Sequence, residues 1–517
     1  MSVSENPEHD PGKKIPRRDL LKSAAAAGMF GGLIGLSPNS GRAADGGGSS
    51  LIRDENQKPG STDWQLTYVR TSGNGNRRSK LIEGYCSQQS VKPGEALDIM
   101  LSTEAPTEAV IDVYRMGYYG GTGGRKIARL GPFAVGPQPE APIGEHRVRE
   151  CHWTPTTQLT IPDDWVSGVY LGKLSCNAHR YQSYIIFIVR DDRQADLLFQ
   201  CSDNTWCAYN KWPDDYSLYD SDPPNNSLNG TTRVTFDRPY SKYPQVVDQA
   251  LSVGSGEFLC WEFPLAHWLE QHGYDVTYIS NVDTHRDPAG LMRGKVFLSI
   301  GHDEYWTLEM YENLRQAIQN GLNVAFLSGN SVCFVAPLVP SSDGRPNRIF
   351  HRAGRYGGLL EEEKKYMGPF DMDGPNENLI IGARTISPFN GSGDWIASKA
   401  DHWMFAGTGM KNGDGIPGLV GWEFHGDPAK IPGLEILAEG ITINGGDRPA
   451  HWMSTIYPGP KGNLVFNAST IYWSMGLSRP PGFVPPFAHY GRPHGPDARV
   501  QQITANFLKQ CGAQPIA

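Results

Sequence analysis

A short apolar run in the middle of the chain constrains the fold most, because it ends in glycine and is followed at once by an imidazole and two carboxylates. Residues 296–300 have the length and the β-branched content of a buried strand. Residues 307–320 carry apolar side chains at helical spacing, and Thr307 is suited to cap that helix. A strand, a turn and a helix in this order place the turn at the carboxyl edge of a sheet, where open α/β folds bind their ligands. His302 and Glu304 lie in this turn and are therefore the first candidates for chemistry.

The second half of the chain alternates strands with helices. The predicted strands are residues 196–201, 274–280, 296–300 and 323–328, and the predicted helices are residues 258–271 and 307–320. Such alternation indicates a mostly parallel sheet with helices on both faces. The four strands end in polar residues, namely Asp203, Asn204 and Thr205; Asn281 and Asp283; His302 and Glu304; and Gly329 and Asn330. Four polar strand ends at one edge predict a site there, from which Asp303 is expected to point away as a cap or a surface carboxylate.

The part of the chain before residue 190 has a different pattern, in which short strand-like runs alternate with turns. The runs are residues 96–101, 109–114, 126–130, 158–161, 168–174 and 183–189. This spacing predicts a β-sandwich that ends near residues 190–195, so the fold class is α+β and multidomain. Residues 394–477 either close the site from the far side of the core or form a β-rich extension, and a short helix is predicted around residues 500–510.

The start of the chain resembles an export signal. Arg17 and Arg18 form a twin-arginine pattern, and a weakly apolar run rich in small residues follows over residues 23–36. That run is too short and too rich in Gly and Ala for a membrane span, so we expect removal of the signal near residues 41–44 and no membrane span afterwards. The twin-arginine route carries folded proteins, which predicts a periplasmic or secreted protein.

These observations give a domain plan with five parts. The plan is a signal peptide at 1–44, a linker at 45–61, a β-sandwich at 62–192, an α/β core with a β-rich extension at 193–480, and a tail at 481–517. The net charge of −8 argues against a nucleic-acid partner. The eight cysteines form no zinc-like pairs and are too few for a disulfide framework in a chain of this size.

A long insertion separates the first core strand from its helix. It covers roughly residues 206–256, which is far longer than most loops between a strand and a helix. Its aromatic residues include Tyr209, Trp212, Tyr216, Tyr219, Tyr240 and Tyr243. Composition alone favours a structural role for any one of these side chains, in which its ring packs against other residues and holds the insertion in place. The alternative is that one or two of the phenols reach the sheet edge.

Several motifs in sequence order resemble the N,N-dimethylformamidase large (β) subunit family. They are residues 114–121 (YRMGYYGG), 204–210 (NTWCAYN), 236–240 (FDRPY), 301–306 (GHDEYW), 323–330 (NVAFLSGN), 393–395 (GDW), 406–409 (AGTG), 421–423 (GWE) and 462–467 (GNLVFN). The resemblance spans roughly residues 64–477. It implies a glutamine-amidotransferase-like α/β core that holds one iron ion, expected to be ferric, through two tyrosines and one glutamate.

The resemblance also implies roles for particular residues. Glu304 and Tyr209 match the glutamate and the first tyrosine of the iron site, and Tyr240 is the expected second tyrosine, with Tyr243 left open. His302 matches the histidine beside the metal, as a general base or as a hydrogen-bond donor to a metal ligand. A further acidic residue of the same site is expected at Glu423.

The implied chemistry is hydrolysis of a non-peptide C–N bond in a small amide. A free phenol has a pKa of about 10 and ionises near neutral pH only beside a strong positive charge. Phenolate and carboxylate oxygens are hard ligands that suit a highly charged cation. The expected partner is thus a small amide, although dimethylformamide itself is not expected to be the physiological substrate, and the protein is compatible with a homo-oligomer.

Two other functions are compatible with the sequence. In the first, Cys207 is a nucleophile that acts with His302 and Glu304 in a Cys-His-Glu amidohydrolase, although the chain has no nucleophile elbow around that cysteine. In the second, the protein is a non-catalytic binding protein of the cell envelope that binds carbohydrate or peptide through aromatic side chains. The candidate binding residues are Trp206, Trp212, Trp395 and Trp403.

Overall fold

The computed structural model of the protein describes residues 49–72, 77–176, 180–220, 230–241, 258–368, 370–386, 389, 391–444, 446–483 and 495–516. The twin-arginine segment and Tyr243 lie outside these residues. Within them, no helix combines the length and the apolar character needed to cross a bilayer. The described residues belong to one compact unit.

The first eight strands form two small sheets. They are β1 (Glu83–Cys86), β2 (Ser90–Val91), β3 (Ala96–Ser102), β4 (Thr107–Met116), β5 (Gly124–Val135), β6 (Thr157–Thr160), β7 (Gly168–Cys176) and β8 (Gln182–Val189). One sheet has the order β1-β3-β6 and the other β2-β8-β7-β4-β5. Ile99 and Leu159 of the first sheet share one hydrophobic cluster with Ile111, Leu174 and Phe187 of the second. This is the two-sheet arrangement that the strand spacing predicts, and each of the six predicted strands is present.

The other seventeen strands among the described residues include those of a large mixed sheet. They are β9 (Ala195–Cys201), β10 (Arg233–Thr235), β11 (Val276–Ser280), β12 (Gly294–Gly301), β13 (Tyr305–Trp306), β14 (Asn323–Ser328), β15 (Phe334–Val335), β16 (Leu338–Val339), β17 (Ile349–His351), β18 (Gly354–Arg355), β19 (Ala383–Thr385), β20 (Ser392–Ile396), β21 (Gly415–Gly421), β22 (His425–Pro428), β23 (Glu435–Ile443), β24 (Pro449–Pro458) and β25 (Leu464–Asn467). Nine of them form one sheet in the order β11-β9-β12-β14-β25-β24-β23-β20-β21.

The parallel part of this sheet is smaller than predicted. The first five strands in the order pair in parallel, whereas the pairs from β25 to β21 are antiparallel. The sequence prediction of a mostly parallel sheet is therefore corrected to a mixed sheet. The physical reason is the connection length, since only residues 444–448 join β23 to β24 and so short a connection permits only antiparallel pairing.

In the described part of the chain, seven α-helices accompany the strands. They are α1 (Leu51–Asn56), α2 (Asp203–Tyr209), α3 (Phe263–Gln271), α4 (Asn281–Arg286), α5 (Leu308–Gln319), α6 (Asn378–Ile381) and α7 (Ala498–Gln510). The Thr307 hydroxyl accepts a hydrogen bond from the Met310 amide at 3.0 Å, which is the predicted N-cap of α5. Helix α1 lies in the predicted linker, and α2 occupies the first residues of the predicted insertion.

Helices cover both faces of the parallel strands. Leu298 on one face of β12 belongs to the same hydrophobic cluster as Leu265 of α3. Its neighbour Phe297, on the opposite face, belongs to a second cluster with Leu314 of α5. Because these strands are buried on both faces, their sequences are continuous apolar runs. Polar side chains are therefore found at the strand ends.

Candidate metal centre

The turn that follows β12 depends on a glycine. Gly301 has φ +62°, and a Cβ added there would lie 2.4 Å from Cβ of Trp261. Only glycine satisfies both the backbone angle and the close approach. The turn sends His302 and Glu304 to one side of the strand end and Asp303 to the other.

Asp303 is buried rather than exposed. Its carboxylate accepts hydrogen bonds from Gln200 Nε2 at 2.6 Å, from Ser299 Oγ at 2.8 Å and from Asn281 Nδ2 at 3.1 Å. The prediction of a surface carboxylate is therefore wrong, because three neighbouring elements supply donors that the local sequence does not reveal. Asp303 anchors the turn beneath the site.

Glu304 is the residue around which the site is organised. Its Oε2 accepts a hydrogen bond from Tyr209 Oη at 2.9 Å, and its Oε1 accepts one from Tyr219 Oη at 3.2 Å. Asn330 Nδ2 donates to Oε1 at 3.1 Å. The backbone amide of Glu304 donates to Thr205 Oγ1 at 3.1 Å, so the strand ends of β9, β12 and β14 all contribute to holding this one residue.

Three phenols converge beside Glu304. Tyr209 Oη and Tyr219 Oη lie 2.7 Å apart, and Tyr305 Oη donates to Tyr219 Oη at 2.6 Å. Burial raises the pKa of all three well above 10, and the Glu304 charge raises each further. The phenols are consequently neutral unless a cation lies beside them.

The second tyrosine at Glu304 is Tyr219, and the predicted Tyr240 lies elsewhere. Tyr240 lines a different cavity with Tyr85, Trp206 and Phe236. Helix α2 carries Tyr209, and the irregular segment after it brings Tyr219 back until the two rings stack at 4.7 Å between centroids. No periodicity marks Tyr219 in the sequence, where it was one aromatic residue among several in the insertion.

His302 and Glu423 lie beside Glu304 and form a cluster of one imidazole and two carboxylates with it. His302 Nε2 lies 2.8 Å from Glu423 Oε2 and 3.2 Å from Glu304 Oε2. Burial raises the pKa of Glu423, while the neighbouring His302 opposes that rise. Among the described residues, His302, Glu304 and Glu423 form a buried group whose ligand atoms all lie within 4.8 Å of one another.

The backbone around Glu423 is tightly fitted. A Cβ on Gly329, just after β14, would lie 2.2 Å from the carbonyl oxygen of Glu423, so only glycine permits this approach. Trp422, Asn330 and Val332 all adopt positive φ, at 54°, 54° and 53°. Such conformations are costly for residues with side chains, above all for a β-branched one, and they concentrate where the structure fixes a site.

His425 supports the site from behind. Its Nδ1 lies 2.8 Å from Asn467 Oδ1, and its Nε2 accepts from the Ser331 amide at 3.1 Å. This pair of contacts fixes the neutral tautomer with the proton on Nδ1, and burial lowers the pKa of His425 to about 4. The ring therefore holds the turn that carries Asn330.

A buried arginine lies against Tyr219. The Arg352 guanidinium is 4.8 Å from the Tyr219 ring centroid and 4.9 Å from that of Phe334. Its Nη2 donates to the Leu218 carbonyl at 2.9 Å, while Nε and Nη1 have no hydrogen-bond partner among the described residues. Its positive charge opposes the rise in the pKa of Tyr219. Sequence reasoning missed Arg352, which follows β17 without any recognisable motif.

A cavity opens onto these groups. Its described lining consists of Tyr209, Tyr219, Glu304, Asn330, Cys333, Phe334, Glu363, Met367, Thr385, Ile386, Phe389, Trp422, Glu423 and Phe424. One end of the cavity thus carries phenols and carboxylates, and much of the remainder is apolar or aromatic. This combination is typical of a small-molecule site.

The chain matches a known protein family. A family model described as N,N-dimethylformamidase beta subunit-like, C-terminal, matches residues 110–489, which is more than half of the chain. The chain belongs to this family. No curated protein matches it significantly. The match spans most of the sandwich and the whole described site of this dimethylformamidase-like protein.

The iron implied by the family resemblance fits the observed donors. Tyr209 Oη and Glu304 Oε2 are 2.9 Å apart, and Tyr219 Oη lies 2.7 Å and 3.3 Å from them. Ligand atoms on neighbouring corners of an octahedron lie about 3 Å apart when each bond to the metal is about 2.1 Å long. The three oxygens therefore have the mutual spacing of one octahedral face, and all three are hard ligands.

Most of the residues proposed for the two other functions are buried in this dimethylformamidase-like protein, whereas Trp403 is partly exposed. Cys207 Sγ donates to the Thr235 carbonyl at 3.2 Å, and burial raises the pKa of the thiol to about 12, which disfavours the reactive thiolate. Trp206, Trp212 and Trp395 are at most 2% exposed and so cannot contact a carbohydrate at the surface. The eight cysteines, all in the described part of the chain, are buried and form no disulfide.

Proposed function

We propose that this protein hydrolyses the C–N bond of a small amide at a mononuclear ferric centre held by Tyr209, Tyr219 and Glu304. One observation carries the proposal: two phenol oxygens and a carboxylate oxygen meet within 3.3 Å of one another at the end of a buried cavity. Membership of the dimethylformamidase family supports an amide as the substrate. Tyr219 takes the place that the sequence analysis gave to Tyr240.

The reaction joins the oxygen of water to the amide carbonyl carbon and breaks the bond from that carbon to nitrogen. A carboxylic acid and an amine leave. When bound, iron supplies Lewis acidity toward the carbonyl oxygen. The residues of the chain must then accept one proton from water and deliver one to the departing nitrogen.

We assign that proton transfer to His302. Its Nε2 lies between the carboxylates of Glu304 and Glu423, at 3.2 and 2.8 Å. An imidazole can accept the proton of the attacking water and return it to the leaving amine. The Glu423 carboxylate stabilises the imidazolium while it holds the proton, so Glu423 and His302 act as a pair.

The other contacts fix the orientation of the ligands. Asn330 holds Oε1 of Glu304, which leaves Oε2 directed at Tyr209 and His302. Tyr305 donates to the Tyr219 oxygen, and Arg352 places positive charge over the Tyr219 ring. A hydrogen bond and a cation at one phenol both favour its ionised form.

The site of action proposed for this chemistry is the periplasm or the exterior of the cell. The twin-arginine pattern at Arg17 and Arg18 supports export of the folded, metal-loaded protein. The proposed partner is a small amide.

Amide hydrolysis by the iron-loaded protein tests the proposal. With N-methylacetamide as substrate, we expect methylamine release that Glu423→Gln slows about a hundredfold while iron stays bound. Glu304→Ala should lose both the iron and the activity. Equal rates for the wild type and Glu304→Ala would overturn the proposal.

A further inference from the structure

The apolar walls of the cavity restrict the substrate beyond its amide group. Met367, Ile386, Phe389 and Trp422 line the cavity and are only half-buried, so each leaves apolar surface uncovered. The Phe389 and Trp422 rings meet edge to face, with centroids 6.4 Å apart. Apolar surface left open beside polar groups favours a ligand that covers it.

The charges around the cavity restrict the substrate further. The charged residues in its described lining are Glu304, Glu363 and Glu423. Arg355 lies behind Glu363, with Nε 3.5 Å from Oε1, and it is fully buried and also pairs with Glu377. A substrate carboxylate would therefore lose its hydration at a wall whose described lining offers no Lys or Arg side chain to pair with it, and this cost would weaken its binding.

The apolar wall of the cavity also bears on the part of the substrate beyond the amide. Its half-buried side chains include the rings of Phe389 and Trp422, which leave aromatic surface uncovered. A short-chain amide would leave most of the apolar wall in contact with water. An aromatic substituent would instead cover that wall and stack against the rings of Phe389 and Trp422.

We propose that the cavity binds an uncharged amide with an aromatic substituent, which packs on Met367, Ile386, Phe389 and Trp422, and that it rejects amides bearing a carboxylate. This inference rests on the proposed amide hydrolysis and names the substrate class of the same site. Arylamides without an acidic group are the expected substrates, and N-acyl amino acids are excluded by their charge.

Binding of ketones that cannot be hydrolysed tests the inference without relying on catalysis. Acetophenone reproduces an aryl amide without its nitrogen, 4-acetylbenzoate adds a carboxylate, and acetone lacks the ring. By calorimetry on the intact protein, we expect 4-acetylbenzoate to bind at least about tenfold more weakly than acetophenone. Equal affinity of these two aryl ketones would overturn the inference.

Variants of Phe389 separate this cavity from nonspecific apolar binding. Phe389→Ala should weaken acetophenone binding about tenfold and leave acetone binding unchanged, whereas Phe389→Leu should restore most of the affinity. Ile443→Ala is the matched control, because Ile443 is 56% exposed and lies outside the described cavity lining. Acetophenone affinity that is insensitive to Phe389→Ala would overturn the inference.

Hydrolysis of matched amides distinguishes this inference from the proposed function. N-methylbenzamide should have a higher kcat/KM than N-methylacetamide, and 4-(methylcarbamoyl)benzoate should be a poor substrate. Cleavage of N-methylacetamide without acetophenone binding would leave the proposed hydrolase standing and overturn the aromatic substrate class. Selective ketone binding without cleavage of any amide would support the ligand class and overturn the hydrolase.

Discussion

Tyr209 and Tyr219 place their phenol oxygens 2.7 Å apart beside the carboxylate of Glu304. Two buried phenols this close to a carboxylate can share protons as neutral groups, or they can ionise together around a cation. Burial, together with the Glu304 charge, holds the pKa of both tyrosines well above 10, so the second state requires a strong positive charge. The pair is therefore the part of the site most sensitive to the presence of a metal.

Replacement of single tyrosines by phenylalanine tests which tyrosines bind the metal. Tyr219→Phe should reduce iron content to a small fraction of the wild-type value, because it removes one of the three oxygen ligands. Tyr240→Phe should retain full iron, since Tyr240 lines a different cavity. Elemental analysis of the two purified variants gives the answer, and iron loss in Tyr240→Phe with full iron in Tyr219→Phe would reverse the assignment.

Variants of Arg352 test whether its positive charge stabilises the phenolate of Tyr219. Arg352→Met keeps an apolar stem between Tyr219 and Phe334 but removes the charge, so the phenolate becomes less stable and iron affinity should fall about tenfold. The tyrosinate absorption band should shift in the same variant. Arg352→Lys should fall between the wild type and Arg352→Met. Unchanged iron affinity and absorption in Arg352→Met would show that the arginine only fills space.

His267 should make stability depend on pH. It lies in α3 against Tyr118 and Phe263, it is 6% exposed, and its ring nitrogens have no hydrogen-bond partner among the described residues. Burial lowers the pKa of His267 from 6.5 to about 4. Between these values the unfolded chain binds more protons than the folded protein, so stability falls as the pH falls, by about 3 kcal/mol in total. Above pH 6.5 both states are neutral and the effect is absent.

Urea unfolding at pH 7 and at pH 4 measures this contribution. His267→Phe preserves the ring contacts and removes the proton, so the variant should lose less stability than the wild type over that interval. Other buried histidines such as His425 titrate in both proteins and cancel in the comparison. Equal losses in the wild type and His267→Phe would contradict the account of His267.

The sequence predicts those parts of the fold that local pattern determines. The strands β9, β12 and β14 lie within two residues of their predicted limits, because strands buried on both faces appear as uninterrupted apolar runs. The turn that carries His302 and Glu304 is where the strand–turn–helix pattern places it. The family resemblance is confirmed by the family match over residues 110–489. The glutamine-amidotransferase-like core and the export signal stay predictions.

Long-range contacts account for what the sequence does not predict. Tyr219 reaches Glu304 through an irregular segment without periodicity, so nothing local distinguishes it from Tyr240. Arg352 comes from beyond β17, and the donors that bury Asp303 come from other strand ends. The site is assembled from elements distant in sequence, and only the family motifs indicate in advance that they meet.

Iron content, measured together with the visible spectrum of the purified mature protein, tests the central claim most directly. The account predicts close to one iron per chain and a tyrosinate charge-transfer band, with both lost in Glu304→Ala. The Glu304→Ala protein should stay folded by circular dichroism, so that the loss reports the site and not the fold. A colourless wild-type protein that stays free of iron after expression with added iron would contradict the account.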